Sequence, residues 1–374
     1  TGRKEYPIFI YNTFMDGDYK STGESIIPAM QDGMGIISYL KYWEYIGRSD
    51  DRILKTAKLM ADYIVQDTLI SEDALYYPKF TRSSGINLFF PLETSGQADV
   101  ILGADTIEPD KGGIAGYALL LMYNATKEEV YLNQAFQNAV VLAQNMKKGD
   151  SKRAPWPFRV NAKTGITAGD KNSNMVYILR LFDALIDLGY TEFVEARDDL
   201  WNWVAKYQIP SSEDESLWVN FFEDQVHIED NRNSWSPLEM ARYLIEKKEK
   251  LDPDWETHAE SLIQFALKLF GMERIGNVTI MGEQDKDHKA WGGANSKLGG
   301  VATLFYCATG RVEYRTLGVQ NLNWITYFVD NDGCPAGLAD GVDSTPTRGG
   351  WQEDCHTDVI HNFVDALNAL EGKC

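Results

Sequence analysis

The chain has 374 residues and a formal net charge of −19 at pH 7. That charge excludes a protein that tracks a phosphate backbone, which needs a basic stripe to release counterions, and it disfavours highly sulfated or polyuronate ligands unless a few arginines reverse the sign locally. No run of 18 apolar residues occurs, so no membrane insertion is expected, and the four cysteines (Cys307, Cys334, Cys355, Cys374) form neither a dense disulfide framework nor a C-x-x-C pair.

The chain opens Thr1-Gly2 without methionine, which reads as a processed or trimmed start with any export signal upstream of it, and a secreted or periplasmic location is expected. Residues 1–27, with Tyr6-Pro-Ile-Phe-Ile-Tyr11, read as an extended N-terminal segment. From residue 28 to 374 an internal repeat takes over. Tyr123-Asn-Ala-Thr126 followed by Tyr131 returns as Tyr306-Cys-Ala-Thr309 followed by Tyr314, 183 residues later, or three steps of about 61. Stepping from Tyr123 reaches Ala184, Ile245, Tyr306 and Leu367, each closing an apolar helical run. One further unit precedes them around Tyr45.

In chain order, first helices are predicted to begin near Asp32, Asp110, Asp170, Arg232, Trp291 and Asp354. Those in Gly113–Met122 and Leu298–Cys307 are apolar nearly all round, as helices buried on both sides must be. The second helices carry one apolar stripe, such as Ile53, Ala57, Met60, Ala61 and Ile64, or Leu132, Phe136, Val140 and Ala143. The pattern predicts an all-α (α/α)6 toroid in one domain, with inner and outer helix rings. Its long connections (70–109, 147–170, 209–231, 271–291, 330–353) gather at one mouth, where binding and catalytic groups normally sit. The sixth outer helix is either missing or supplied by the N-terminal segment. Gly112, Gly113, Gly299 and Gly300 fit close approach of neighbouring backbones.

With its alternating buried and amphipathic helices, the phrase Tyr-x-Ala-Thr-x-x-x-x-Tyr and the Asp-x-Gly-Gly start at Asp110, the chain resembles the six-hairpin (α/α)6 glycosidase superfamily. The unit from Asp110 to Tyr131 is similar to one in unsaturated uronyl hydrolases that carries an essential aspartate at the start of an inner helix. Those enzymes place a second aspartate before an Asn-Met pair; here Ser173 precedes Asn174-Met175, and the nearest aspartate is Asp170. The resemblance implies a glycoside hydrolase acting on an oligosaccharide, with no obligatory cofactor and no metal.

Glycoside cleavage needs two carboxyl groups facing one cleft. The candidates are Asp110 and Asp170, 60 residues apart and thus at equivalent positions of adjacent inner helices, together with Glu353, Asp354 and His356 at the start of the last inner helix. Each aspartate also suits an N-cap. Trp156, Trp235, Trp291 and Trp351 lie in or beside the long loops and are expected to line sugar subsites, since a pyranose lays its C–H face on an aromatic plane. Arg159, Arg232 and Arg348 in the same loops offer forks for a carboxylate.

Three other readings stay open. A polysaccharide lyase would cast His356, Tyr77 or Tyr76 as base, with Arg159 or Arg82 as charge neutraliser. A zinc-binding cyclase-like protein would use Cys355 and His356 with Cys334 or Cys307. A non-catalytic glycan-binding toroid would keep the aromatics without a working carboxyl pair.

Overall fold

The computed structural model describes residues 14–15, 28–83, 105–221, 231–272, 278–285, 292–326, 351–352 and 354–373, with residues 14–15, 351–352 and 354–358 described by backbone alone. The chain forms two compact units, the first built on residues 25–231 and the second on residues 232–374 together with 12–24.

In the first unit, α1 (Gly33–Tyr45) follows a single π-turn at Pro28–Asp32 and pairs with α2 (Asp51–Asp67). Next come α3 (Pro109–Thr126) with α4 (Glu129–Asn145), and α5 (Val176–Asp187) with α6 (Val194–Trp203). The three first helices pack in sequence, α1 on α3 and α3 on α5, each also holding its own hairpin partner. Every residue of α3 from Pro109 to Gly116 is buried, which is why that stretch lacks an amphipathic period. The second helices bury one side; α2 uses Ala57, Met60, Ala61, Tyr63 and Ile64.

The second unit repeats this plan with α7 (Trp235–Lys247), α8 (Trp255–Phe270), α9 (Gly292–Thr309), α10 (Val312–Thr326) and α11 (Asp354–Leu370). Here α9 packs on both α7 and α11. No helix pairs with α11 as an outer mate among the described residues. Strand β1 (Phe14–Met15) lies within the segment expected to be extended, and pairs antiparallel with β5 (Trp351–Gln352), Met15 opposite Trp351. In the first unit β2 (Thr106–Ile107), β3 (Arg159–Asn161) and β4 (Thr167–Ala168) form a small antiparallel sheet, with Ile107 opposite Val160.

The repeated phrase is a hairpin device. Lys127 and Gly310 take the left-handed conformation just past α3 and α9 (φ 62° and 77°), and their N–H groups donate to the carbonyls of Tyr123 and Tyr306 at 2.7 Å. Thr126 and Thr309 donate back to Met122 and Phe305, while their hydroxyls accept from the N–H groups of Glu128 and Arg311. The second tyrosine then reaches the preceding outer helix: Tyr131 donates to Asp62 at 2.5 Å, and Tyr314 to Glu260 at 2.7 Å. One turn chemistry thus joins hairpin to hairpin in both units.

Two glycine positions show how closely the inner helices approach. A Cβ on Gly113 would lie 2.7 Å from Ile178 Cγ1 and 3.0 Å from its backbone nitrogen, and one on Gly300 would lie 3.0 Å from the Asn362 carbonyl oxygen. The first inner helix begins at Gly33, next to Asp32 as expected, and two other starts differ from the sequence expectation. The fourth begins at Trp235, where the Asn233 side chain accepts from the Ser236 N–H. The third begins at Val176 instead of Asp170, because Asn172 forms a turn with the Asn174 N–H and the carbonyls of Gly169 and Asp170 accept from Phe158 and Ala154.

Candidate active site

The first unit gathers a buried polar centre at the N-terminus of α3. Strand β2 delivers Glu108 as the residue before the helix, Pro109 occupies the first turn where its missing N–H costs nothing, and Asp110 follows. Pairing of β2 with β3 sets Arg159 beside Glu108, and its Nε donates to Glu108 Oε1 at 2.9 Å. Glu108 Oε2 accepts no hydrogen bond among the described residues; the Lys111 ammonium stands 3.8 Å away. Glu108, Asp110, Lys111 and Arg159 are all 0% exposed.

Asp110 meets donors on both oxygens: Asn172 Nδ2 at 3.0 Å on Oδ1, and Asn174 Nδ2 at 3.1 Å with Lys111 Nζ at 2.9 Å on Oδ2. Lys111 also donates to the Phe221 carbonyl and lies 3.7 Å from the centre of the Phe221 ring. The first turn of α3 adds its own partial positive charge. Burial pushes the Glu108 carboxyl up to about 7, against the pull of Arg159 and Lys111 and with the help of Asp110. Two carboxyls two residues apart therefore have different surroundings: one holds a proton near neutrality, the other faces donors only.

A second buried centre spans α7, α9 and α11 in the other unit. Glu239 Oε1 accepts from Lys297 Nζ at 2.8 Å, with Arg242 Nη1 at 3.4 Å and His361 Nε2 at 3.6 Å. Arg242 is shared with Asp365 at 3.2 Å and with Asn362, and Asn362 donates to Ser296 Oγ at 3.1 Å. Lys297 lies 4.0 Å from the centre of the Trp235 ring. Burial would raise Glu239, but Arg242 and Lys297 outweigh it and hold its carboxyl well below the usual range. Burial and the neighbouring Arg242 push His361 down to about 3, so its imidazole is neutral at ordinary pH.

The residues expected from sequence distribute as follows. Asp110 and Arg159 meet in the first centre, joined through Glu108. Asp170 does not join them: it is exposed on the loop before α5, and Asn172 and Asn174 take the place beside Asp110. Trp156 is a core residue with 0% exposure, its indole donating to the Leu142 carbonyl at 3.1 Å. Trp235 is buried against Lys297, while Arg232 is partly exposed and paired with Asp285 at 3.2 Å. Asp354 opens α11 and His356 stands in its first turn. The side chains of Asp354, His356 and Trp351, and the whole of Glu353, Trp291 and Arg348, lie outside the described residues. Cys307 is disulfide-bonded, which removes it from a thiolate ligand set. Among the described residues no cluster suits a metal ion, and no helix is long and apolar enough to cross a membrane. Of the lyase candidates, burial pushes the Tyr77 phenol up, and Arg82 donates to the Leu69 carbonyl.

Glu108, Lys111, Glu239, Arg242 and Lys297 are not among the site residues expected from sequence. The available signal was a charged residue inside an apolar inner-helix run, as in Pro237-Leu-Glu-Met-Ala241 and Ser296-Lys-Leu298. Such a residue is stable there only if paired.

No known family matches the sequence, and no curated protein matches it. Solved structures do. A D-mannose isomerase superposes with a TM-score of 0.71 at 10% identity, covering 97% of this chain and 94% of its own. A cellobiose 2-epimerase from Spirochaeta thermophila gives 0.66 at 14%, covering 98% and 92%. The chain has the six-hairpin (α/α)6 fold. The GH76 alpha-mannanase of Bacteroides thetaiotaomicron carries it too, with a TM-score of 0.60 at 12% identity over 91% of this chain and 87% of that one. Glu108 and Asp110 stand at the start of α3, Glu239 about one turn into α7 and Asp365 about three turns into α11.

Proposed function

We propose that this protein is a carbohydrate-active enzyme, a glycoside hydrolase that cleaves a hexose oligosaccharide by carboxyl acid-base catalysis on a single six-hairpin domain. The observation that carries this reading is the Glu108–Asp110 pair. Glu108, protonated near neutrality, is the general acid, and Asp110, fed by Asn172, Asn174 and Lys111, is the base or nucleophile. Glu353, Asp354 and His356 at the head of α11 are further candidates for the second carboxyl and its neighbour. Because Glu108 and Asp110 are fully buried, catalysis requires an opening step that admits the sugar. The enzymes named for the similar structures act on or are named for mannose, cellobiose and mannan, so manno- and gluco-oligosaccharides are the substrates to try first.

The test is release of new reducing ends from such a panel by the wild type, Asp110→Asn and Glu108→Gln. Each variant should lose at least about a hundredfold in turnover while still binding the sugar. Turnover unchanged in both variants rejects the assignment.

A second reading draws on the neutral His361 beside Glu239, Arg242 and Lys297. Once an opening step admits water and sugar and relieves the burial that depresses it, this imidazole can take the proton next to a sugar carbonyl, the step that isomerisation or epimerisation needs. Solvent deuterium entering the sugar at C2, with no new reducing ends and with loss in His361→Asn, would favour it over hydrolysis.

A further inference from the structure

Outside both polar centres, the first unit carries two adjoining cavities of about 640 and 490 Å³ that share Lys147, Lys148, Gly149 and Tyr207. Together they make a trough between the C-terminal end of α4 and the side of α6. Both volumes fall in the range of small-molecule sites.

Its walls carry opposed charges that do not meet. Lys147 and Lys148 rim one side, and Glu192, Glu195 and Asp199 the other together with Lys206, so three ammonium groups and three carboxylates line the first cavity with no ion pair between Lys147 or Lys148 and those carboxylates among the described residues. Opposed charges held apart across a cleft suit a neutral, polyhydroxylated ligand, whose hydroxyls accept from ammonium groups and donate to carboxylates. A polyanion would meet three carboxylates and a cation three ammonium groups. The floor is less polar, with Ala143, Met146 and the buried Trp203, and the half-buried Tyr207 stands where the two cavities join. Asp170 lines the second cavity, which gives this exposed aspartate a place apart from Asp110.

We propose that this trough is a second carbohydrate-binding site, distinct from the buried centres, that holds a neutral oligosaccharide along Tyr207. The ligand class rests on the carbohydrate reading above; the site itself does not.

Binding is measured by affinity electrophoresis and calorimetry with neutral manno- and gluco-oligosaccharides of about five residues, using an Asp110→Asn background so that turnover cannot consume the probe. A dissociation constant near 1 mM is expected, on the order of that for a shallow site. Tyr207→Ala and the pair Lys148→Ala with Asp199→Ala should each weaken it by about tenfold. In the otherwise wild-type chain these changes should leave turnover of a disaccharide-sized substrate unaltered, because none touches the α3 or α7 centres. Absence of binding, binding indifferent to these substitutions, or a preference for a sulfated oligosaccharide over the neutral ones would overturn the proposal. Loss of turnover in Asp110→Asn without any change in trough binding tests the catalytic reading separately.

Discussion

The charge network of the second unit makes a sharp stability prediction. Lys297 and Glu239 are both fully buried and share a 2.8 Å bond, and Arg242 at 3.4 Å is a second cation beside that carboxylate. Lys297→Met keeps an unbranched stem over Trp235 but leaves Glu239 with one cation. Breaking a buried pair in this way costs about 3–5 kcal/mol, and because Arg242 remains, a value near 3 kcal/mol is expected. Glu239→Gln alone takes the counter-charge from the buried Lys297 ammonium and should cost a similar amount. The double variant removes both charges while Arg242 keeps Asp365 at 3.2 Å, so its cost should be only about 1–2 kcal/mol. A double-mutant cycle in urea, followed by tryptophan fluorescence, should therefore give a coupling of about 4–5 kcal/mol. The carboxyl of Glu239 is depressed in the folded chain, so its contribution is present above its unfolded value of about 4.5 and is lost as pH falls through the lower folded value. Lys297→Met should move that acid loss to higher pH. Single costs that add in the double variant to within about 0.5 kcal/mol would refute the paired-network account.

Glu108 has the opposite sign: its folded value is raised to about 7, so its favourable contribution is complete below its unfolded value of about 4.5 and is lost as pH rises through about 7. Turnover that needs this proton should fall above about pH 7, and in Glu108→Gln the residual rate should no longer show that limb; a rate profile with the limb intact would remove Glu108 from the acid role. Trp156→Phe should cost about 2–3 kcal/mol in chemical unfolding, from lost volume and the unpaired Leu142 carbonyl, with sugar affinity unchanged. Lys127→Gly, matching Gly310 at the equivalent turn, should stabilise the first unit by about 0.5–1 kcal/mol by relieving a left-handed backbone, measured as a shift in urea midpoint at unchanged slope.

The sequence by itself determined the hairpin plan. A step of about 61 residues, apolar runs without a wet face and single-striped partners follow from local periodicity, and the Tyr-x-Ala-Thr turn is local hydrogen bonding that reads the same in both copies. What it did not determine is which polar groups meet. Asp170 matched Asp110 by spacing, yet the turn at Asn172 and the strand pairing of β2 with β3 brought two asparagines and Arg159 to that place instead. Trp156 looked like a loop aromatic until the fold closed over its ring. Glu108, Glu239 and Lys297 gain their meaning from partners between 51 and 122 residues away, such as Arg159 for Glu108 and His361 for Glu239. Local pattern governs which faces are buried, because burial follows the period of the helix. Partnering of buried charges is decided only when distant helices pack, since each charge is stable there only with the counter-charge that packing supplies.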